Sequence, residues 1–474
     1  MDELIGQLVQ KLGIQEDQAK GGAGLLLKLA QSKLGSDFSQ IADAVGTPTY
    51  VYSADAIRAN YRRLEQAFAP LGAHLHYAVK ASSNIHILRL VHQLGAGLDV
   101  VSGNEIARAW LAGVPMKDMV FAGVGKPEDE QRAALDGRFS PLRDDAERLG
   151  GKNIDTRGPV GLFNVESESE LKVLARVAAD LGQVARACIR VNPDVDARTH
   201  EYTTTGLEEN KFGVAWTRVP EIFAAFRDVP SVELVGMHVH IGSPVREIEP
   251  YESAVKVLLR LIDTLEEEGH TVSVLDLGGG WPMSYTDGES PEIQAFAEVL
   301  VPLLEERTGN GLQVVLEPGR SILANSGVLL TRVQHVKEGR EKTFVICDAG
   351  MHTLIRPAFY RAFHFAWPVR VETRHVPPTA AEHVDLPDLR PCDIVGPICE
   401  TGDFLARGRD LPPVERGDLI AVFSAGAYGM SMSSNYNDHG RSAEVMVDGE
   451  RVTVINERQK LASLLETEMA PREL

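Results

Sequence analysis

Eight short apolar runs, rich in β-branched and aromatic residues, recur at 74–79, 98–101, 119–122, 160–165, 187–191, 234–241, 272–277 and 313–316. Helical patterns separate most of them. This rhythm constrains the fold more than any other feature of the 474-residue chain. Strands alternating with helices over roughly 250 residues predict an α/β protein built on a (β/α)8 TIM-like barrel. A doubly wound open sheet is the alternative, but no Gly-x-Gly-x-x-Gly follows the first run. Between the fourth and fifth runs, Ser167 and Glu170 form a capping box, and Leu171, Leu174, Val177 and Leu181 make one apolar stripe. Over 251–268, Val255, Leu258, Leu259, Ile262 and Leu265 turn inward and Gly269 ends the helix.

The rhythm changes on either side of the barrel. Residues 1–45 read as a helical N-terminal extension, with Leu4, Leu8 and Leu12 at helical spacing before a Gly-rich break at Gly21-Gly22-Ala23-Gly24. Residues 46–52 hold a strand that joins the later β domain, 53–320 form the barrel, and 321–474 form a C-terminal all-β domain. Strands are expected there at 328–336, 343–348, 368–373, 418–423, 443–447 and 451–455, with Asp448-Gly449 as a hairpin turn. Residues 137–158 form a charged insertion.

Charge and composition narrow the partners. A formal net charge of −19 repels phosphate backbones, which argues against nucleic acid or an anionic membrane. Four cysteines without metal-like spacing suit a reducing compartment. No apolar run approaches spanning length, and Met1-Asp2-Glu3 carries acids where a signal peptide carries bases. A cytoplasmic protein is expected, acting on a small molecule.

Active sites of such barrels lie at the carboxyl ends of the strands. The first run ends in Lys80, the sixth in His238-Val239-His240-Ile241-Gly242-Ser243, the seventh in Gly278-Gly279-Gly280, and the eighth in Glu317-Pro318-Gly319-Arg320. A lone lysine at a strand end is usually solvated, three glycines are often only a turn, and Glu-Pro-Gly-Arg can be a surface turn. Two histidines two residues apart on a strand could hold a metal, though no third ligand stands out. Together, however, an amine, an imidazole, close-approach glycines and a glutamate suit a phosphorylated aromatic cofactor. The β domain adds Arg356 and Tyr360 in one loop, Cys399 and Glu400 in another, and Tyr428 in a small-residue turn. Cys399 sits among Pro and Gly residues that favour a loop, where a thiol could donate a proton.

These stretches, in this order, resemble the diaminopimelate decarboxylases, a branch of the pyridoxal-phosphate decarboxylases with an alanine-racemase-like fold. The matching segments are Tyr77-Ala78-Val79-Lys80-Ala81, Asn210-Lys211-Phe212-Gly213, His238 to Ser243, Leu277 to Gly280, Glu317 to Arg320, Leu354-Ile355-Arg356-Pro357, Cys399 to Asp403 and Gly426-Ala427-Tyr428-Gly429. The Ile-Arg-Pro and Cys-Glu-Thr-Gly-Asp loops point to the diaminopimelate branch in particular. The resemblance implies that Lys80 carries pyridoxal 5'-phosphate, His240 stacks on its ring and Glu317 meets the ring nitrogen. It implies a phosphate cradle of Ser243, Gly280, Gly319, Arg320 and Tyr428. It further implies that Arg320, Arg356, Tyr360 and Tyr428 bind the substrate, that Glu400 meets its distal ammonium, and that Cys399 of a second subunit protonates the product carbon in a homodimer. The reaction implied is decarboxylation of meso-2,6-diaminopimelate to L-lysine and carbon dioxide, the last step of lysine biosynthesis.

Other readings stay open on the residues themselves. The same fold group holds decarboxylases of ornithine, arginine or lysine, and racemases; a racemase wants a tyrosine base opposite the lysine. A non-catalytic cofactor-binding relative would lack the lysine or the cysteine, and both are present. A metal-dependent hydrolase rests on His238 and His240 alone. Pro244 follows Ser243 where the family usually has glutamine, and the 1–45 and 137–158 segments are atypical.

Overall fold

The computed structural model describes residues 34–137, 158–197, 205–206, 210–286, 289–340 and 342–469. Most of the expected helical extension and nearly all of the 137–158 insertion lie outside these residues. The chain divides into two compact units: Arg58–Pro282 with Ser290–Ile322, and Met1–Ile57 with Met283–Glu289 and Leu323–Leu474.

Helix α1 (Leu34–Val45), strand β1 (Thr49–Ser53) and helix α2 (Ala54–Ala67) lead into the first of these units. Its strands are β2 (His74–Ala78), β3 (Gly97–Val100), β4 (Met119–Phe121), β5 (Leu162–Val165), β6 (Ala185–Asn192), β7 (Val214–Ala215), β8 (Val232–His238), β9 (Val274–Asp276) and β10 (Gln313–Leu316). They pair in parallel in the order β5-β4-β3-β2-β10-β9-β8-β6, and β5 also pairs with β6, so the ring closes. An open doubly wound sheet has two free edges, which this closure removes. The eight apolar runs are the eight ring strands; the two-residue β7 extends β6 from outside the ring.

Alternation along the strands gives the ring an apolar floor and a polar mouth. Val120, Leu162, Cys188, Val235, Val274 and Val315 form one buried cluster. Burying each such side chain is worth about 1.5–3 kcal/mol. Two residues beyond Leu162, Cys188, Val274 and Val315 stand Asn164, Arg190, Asp276 and Glu317, all buried.

The helices between strands include α3 (Ile85–Gln93), α4 (Gly103–Leu111), α5 (Glu128–Asp136), α6 (Glu168–Leu181), α7 (Val219–Phe226), α8 (Glu249–Glu267) and α9 (Ile293–Gly309). Side chains at strand exits start three of them: Asn84 accepts from His86 N, Ser102 from Glu105 N and Ser167 from Glu170 N. Each cap is worth about 1 kcal/mol. In α8, Val255, Leu258, Ile262 and Leu265 are buried as expected, but Leu259 is half-buried and Leu261 takes its place in the core.

The second unit holds a mixed sheet. Its strands are β1, then β11 (Gly327–Glu338), β12 (Thr343–Cys347), β13 (Ala366–Pro368), β14 (Arg390–Val395), β15 (Phe404–Leu411), β16 (Leu419–Val422), β17 (Ala443–Asp448) and β18 (Arg451–Asn456). The order is β15-β14-β12-β11-β1-β17-β18, with β16 on β11 and β13 on β16. The early strand thus pairs with the late ones: Thr49 faces Leu330 on one side and Ala443 on the other. Gly449 follows β17 at φ +59, the left-handed conformation a tight hairpin needs. Two expectations are corrected. The strand expected at 368–373 is Ala366–Pro368, anchored by buried Trp367. β14 and β15 were not expected, because Pro391, Asp393 and Gly408 lower their strand signal and bulges break their register.

Candidate active site

Lys80 lies in the short turn that follows β2. Its Nζ donates to Asp99 Oδ2 at 2.7 Å, and Asp99, on β3, is fully buried. Backbone hydrogen bonds carry this turn across the mouth of the ring. Ala78 N donates to Pro318 O at 3.1 Å, Glu317 N to Gly278 O at 2.8 Å, and Gly279 N to His240 Nδ1 at 3.1 Å. The Lys80 turn and Glu317 are thereby fixed to one rim by main-chain contacts, and His240 by its ring nitrogen. The glycines are required there. A Cβ on Gly280, at φ +98, would meet Gly242 O at 2.2 Å, and one on Gly319 would press on Ala78 and Ala81 beside Lys80. Beneath the triple glycine, Tyr251 stacks on Trp281 with ring centroids 4.5 Å apart. Tyr251 OH donates to Gly279 O and Trp281 Nε1 to Gly278 O.

The two histidines differ. The β8 ladder ends at His238, not at Ile241 as expected, and His240 stands in the loop beyond it. Burial and then Arg190 push the His240 pKa well down, and Gly279 N–H donates to its Nδ1, so the ring is neutral and held in one orientation. His238 is 2% exposed, and its Nε2 lies 3.3 Å from Glu317 Oε2. The pair expected on one strand face therefore has two separate sets of partners.

Three buried carboxyls share the mouth. Asn164 Nδ2 donates to both Asp276 Oδ2 and Glu317 Oε1, at 3.0 Å each. Burial and the neighbouring Glu317 raise the Asp276 carboxyl well above the usual range. Burial and Glu317 also raise Asp99, against the opposing pull of Lys80. Burial alone would raise Glu317 too, but the charges of His238 and Lys80 outweigh it and hold its carboxyl low. One carboxyl is thus kept anionic while its neighbour keeps its proton. Outside this group, Arg190 Nη1 binds Glu166 Oε1 at 2.6 Å and lies over the Phe212 ring, while Glu166 Oε2 accepts from Gly213 N. Arg320 reaches Ser243 Oγ at 3.3 Å from Nη2 and 3.4 Å from Nε.

Sequence reasoning missed Asp99, Asn164, Asp276 and the role of His238. Each is a polar residue inside an otherwise apolar run, on the barrel-facing register, a signal that gains meaning only once the closed ring gathers several of them.

The second unit supplies the other candidates. Helix α10 (Arg320–Leu323) ends the barrel segment, and α11 (Arg356–Tyr360) presents Arg356, which is buried. His364 Nδ1 faces Phe423 O at 3.0 Å, so it carries the proton and leaves Nε2 to accept from Arg356 Nη1 at 2.8 Å. The guanidinium also lies over the Tyr285 ring. Tyr360 is half-buried at the end of α11. Cys399 and Glu400 are exposed on a tight loop. Asp403 secures that loop: its Oδ1 accepts from Met351 N and its Oδ2 from Ile398 N, both at 2.6 Å. Asn437 Oδ1 accepts from Cys399 N at 3.3 Å. Tyr428 adopts φ +57, a strained conformation for a bulky residue and of the kind that gathers at binding turns.

The barrel-mouth residues suit pyridoxal phosphate on the chemistry of their donors. They offer an amine, a neutral imidazole face, an anionic carboxylate, a glycine-lined rim and an Arg–Ser pair. Asp99 Oδ1, Asn164 Oδ1 and His238 Nδ1 are buried without a hydrogen-bond partner, so polar capacity is left at the mouth.

Residues 54–324 match the family described as pyridoxal-dependent decarboxylase, pyridoxal binding domain. The chain is 45% identical over 430 residues to the diaminopimelate decarboxylase of Pseudomonas aeruginosa, covering 91% of this chain and 94% of that one. It is 41% identical over 433 residues to that of Aquifex aeolicus, with 91% and 94% covered. Among solved structures, the diaminopimelate decarboxylase of Helicobacter pylori complexed with L-lysine aligns with a TM-score of 0.78 at 35% identity, covering 91% of this chain and 99% of that one.

Proposed function

The chain belongs to the pyridoxal-dependent decarboxylases, in the diaminopimelate decarboxylase family, and on that premise we propose that it converts meso-2,6-diaminopimelate to L-lysine and carbon dioxide. Within the fold group, the observation that carries the choice of substrate is buried Arg356. Its guanidinium is held between His364 and Tyr285. Orienting a buried arginine so closely suits a substrate that keeps one carboxylate after losing another. Lysine and ornithine have no second carboxylate to offer.

The bound cofactor supplies an electrophilic carbonyl and a ring that accepts the electrons released as carbon dioxide leaves. Lys80 Nζ would bind its carbonyl, with Asp99 as the counter-charge waiting for the lysine when substrate amine replaces it. Glu317 would hold a proton on the ring nitrogen. Neutral His240 would offer a flat face without adding charge. Ser243, Arg320, Tyr428 and the main chain at Gly280 and Gly319 would hold the phosphate. Arg320, Arg356, Tyr360 and Tyr428 would bind the substrate, Arg320, Arg356 and Tyr360 at its distal carboxylate, and Glu400 would meet its distal ammonium. Cys399 Sγ would deliver the proton that replaces the lost carboxyl group, and solvent would restore the thiol. Following the resemblance, Cys399 comes from a second copy of the chain in a homodimer. The protein acts in the cytoplasm; among the described residues, no helix is long and apolar enough to cross a membrane.

The test is carbon dioxide release from meso-diaminopimelate, L-lysine, L-ornithine and L-arginine in parallel. Turnover of the first alone is expected. Turnover of another substrate without the first overturns the reading.

A further inference from the structure

Among the described residues, Lys80 and His238 are the two basic side chains that hold the Glu317 carboxyl low, and they have different fates. Lys80 already pairs with Asp99 at 2.7 Å, and on the proposed function its amine is taken up in binding the cofactor's carbonyl. His238 has no such second use. It is 2% exposed, Glu317 is 3% exposed, and 3.3 Å separates Nε2 from Oε2. The ligand atoms of His238, Asp276 and Glu317 all lie within 4.8 Å of one another.

Among the described residues, the other titratable groups around Glu317 fail to balance it. His76 on β2 and His240 beyond β8 are both pushed down and stay neutral. Asp99 on β3 and Asp276 on β9 are carboxyls whose negative charge would only repel. Cys188 on β6 and Tyr251 on α8 are buried and keep their protons. Arg190 is occupied by Glu166 at 2.6 Å. Asn164 bonds Glu317 as readily as Asp276 and cannot decide which of them is ionised.

We propose that His238 is a positioning residue for the reaction, acting through Glu317: it is the counter-charge that keeps this carboxylate ionised once Lys80 is engaged, and so keeps the cofactor's ring nitrogen protonated. This rests on the cofactor chemistry above but not on the identity of the substrate. A buried carboxylate stripped of its partner takes up a proton, and a protonated Glu317 cannot stabilise a positive ring nitrogen. The second layer thus sets the strength of the electron sink without touching the cofactor.

The test compares wild-type and His238→Gln holoenzyme, each loaded either with pyridoxal phosphate or with an analogue that carries carbon in place of the ring nitrogen. With the natural cofactor, the variant is expected to lose about tenfold or more in kcat, the range seen when outer partners of a site are removed. The pH midpoint of the visible absorbance of its bound cofactor, read without substrate, should also move. With the carbon analogue the two proteins should be equally slow. An unchanged absorbance titration, or a deficit of the same size with the analogue, overturns the proposal. If the variant does not fold, His238→Asn is compared in the same four loadings, with the same results supporting or overturning the idea. A wild type that binds cofactor but releases no carbon dioxide from diaminopimelate overturns the substrate assignment alone, because the absorbance comparison still reads out His238.

Discussion

Lys80 Nζ and Asp99 Oδ2 form an ion pair of 2.7 Å in which the carboxylate is fully buried and the lysine is not. The asymmetry matters. Asp99 cannot move to follow the lysine, so it defines one end of the lysine's travel. Borohydride reduction followed by mass spectrometry should place the cofactor on Lys80, and Lys80→Ala should remove both label and turnover. Asp99→Asn should keep the label but lower kcat about 10–100-fold, because the neutral amide holds an ammonium poorly. An Asp99→Asn enzyme with wild-type kcat would remove Asp99 from this role.

Glu105 gives a pH signature in the protein without cofactor. Its Oε2 accepts from Val101 N at 2.7 Å, yet burial, with Asp99 adding to it, pushes its carboxyl up to about 7 from an ordinary 4.5. Below the ordinary value both folded and unfolded chains carry the proton. Between the two values the folded chain keeps it while the unfolded chain releases it, so stability falls as pH rises. Above the higher value both are ionised and the loss is complete. Glu105→Gln removes this slope. Urea unfolding from about pH 5 to about pH 8 should show the variant gaining roughly 1–3 kcal/mol on the wild type, less where solvent reaches the group. Parallel pH profiles would contradict the assignment.

Asp403 should act on turnover rather than on cofactor binding. It caps two backbone amides that shape the Cys399–Glu400 loop. Asp403→Ala leaves both amides unpaired and should destabilise the protein by about 1–3 kcal/mol. The cofactor's absorbance and affinity should stay as in the wild type, while kcat falls at least about tenfold because the thiol is no longer held in place. Loss of cofactor affinity in this variant would show that the loop supports the barrel mouth instead.

A site shared between copies can be read by mixing. Lys80→Ala and Cys399→Ala proteins are each expected to be inactive as homodimers. Unfolded together and refolded, random pairing should restore up to about a quarter of wild-type activity, because half of the dimers then carry one intact site. No recovery, with dimer exchange verified by mass, would place Lys80 and Cys399 of the same chain in one site.

The barrel was legible because its strands are buried on both faces and read as continuous apolar runs. β14 and β15 were not, since Pro391 and Gly408 are poor strand formers tolerated here among bulges. The lysine, the glycines and Glu317 announced themselves through residue types that few other roles require. Asp99, Asn164 and Asp276 did not, because a polar residue within an apolar run acquires meaning only when ring closure turns several of them toward one point. His238 was visible as part of a pair with His240. Its true neighbour, Glu317, is 79 positions away in the chain and comes near only through the closed ring.

The rim contacts joining Ala78 to Pro318, Glu317 to Gly278 and Val245 to Gly280 run between main-chain atoms. Main-chain contacts are indifferent to most side-chain replacements, provided the glycines stay. Of the residues proposed to meet the substrate's far end, Arg356, Tyr360 and Glu400 lie in the other unit, on α11 and the Cys399 loop, while Arg320 belongs to the barrel unit. Drift or selection acting on those loops can explore new amino acids while the main-chain rim is inherited intact, within the limit that Arg320 and Tyr428 are proposed to serve both cofactor and substrate.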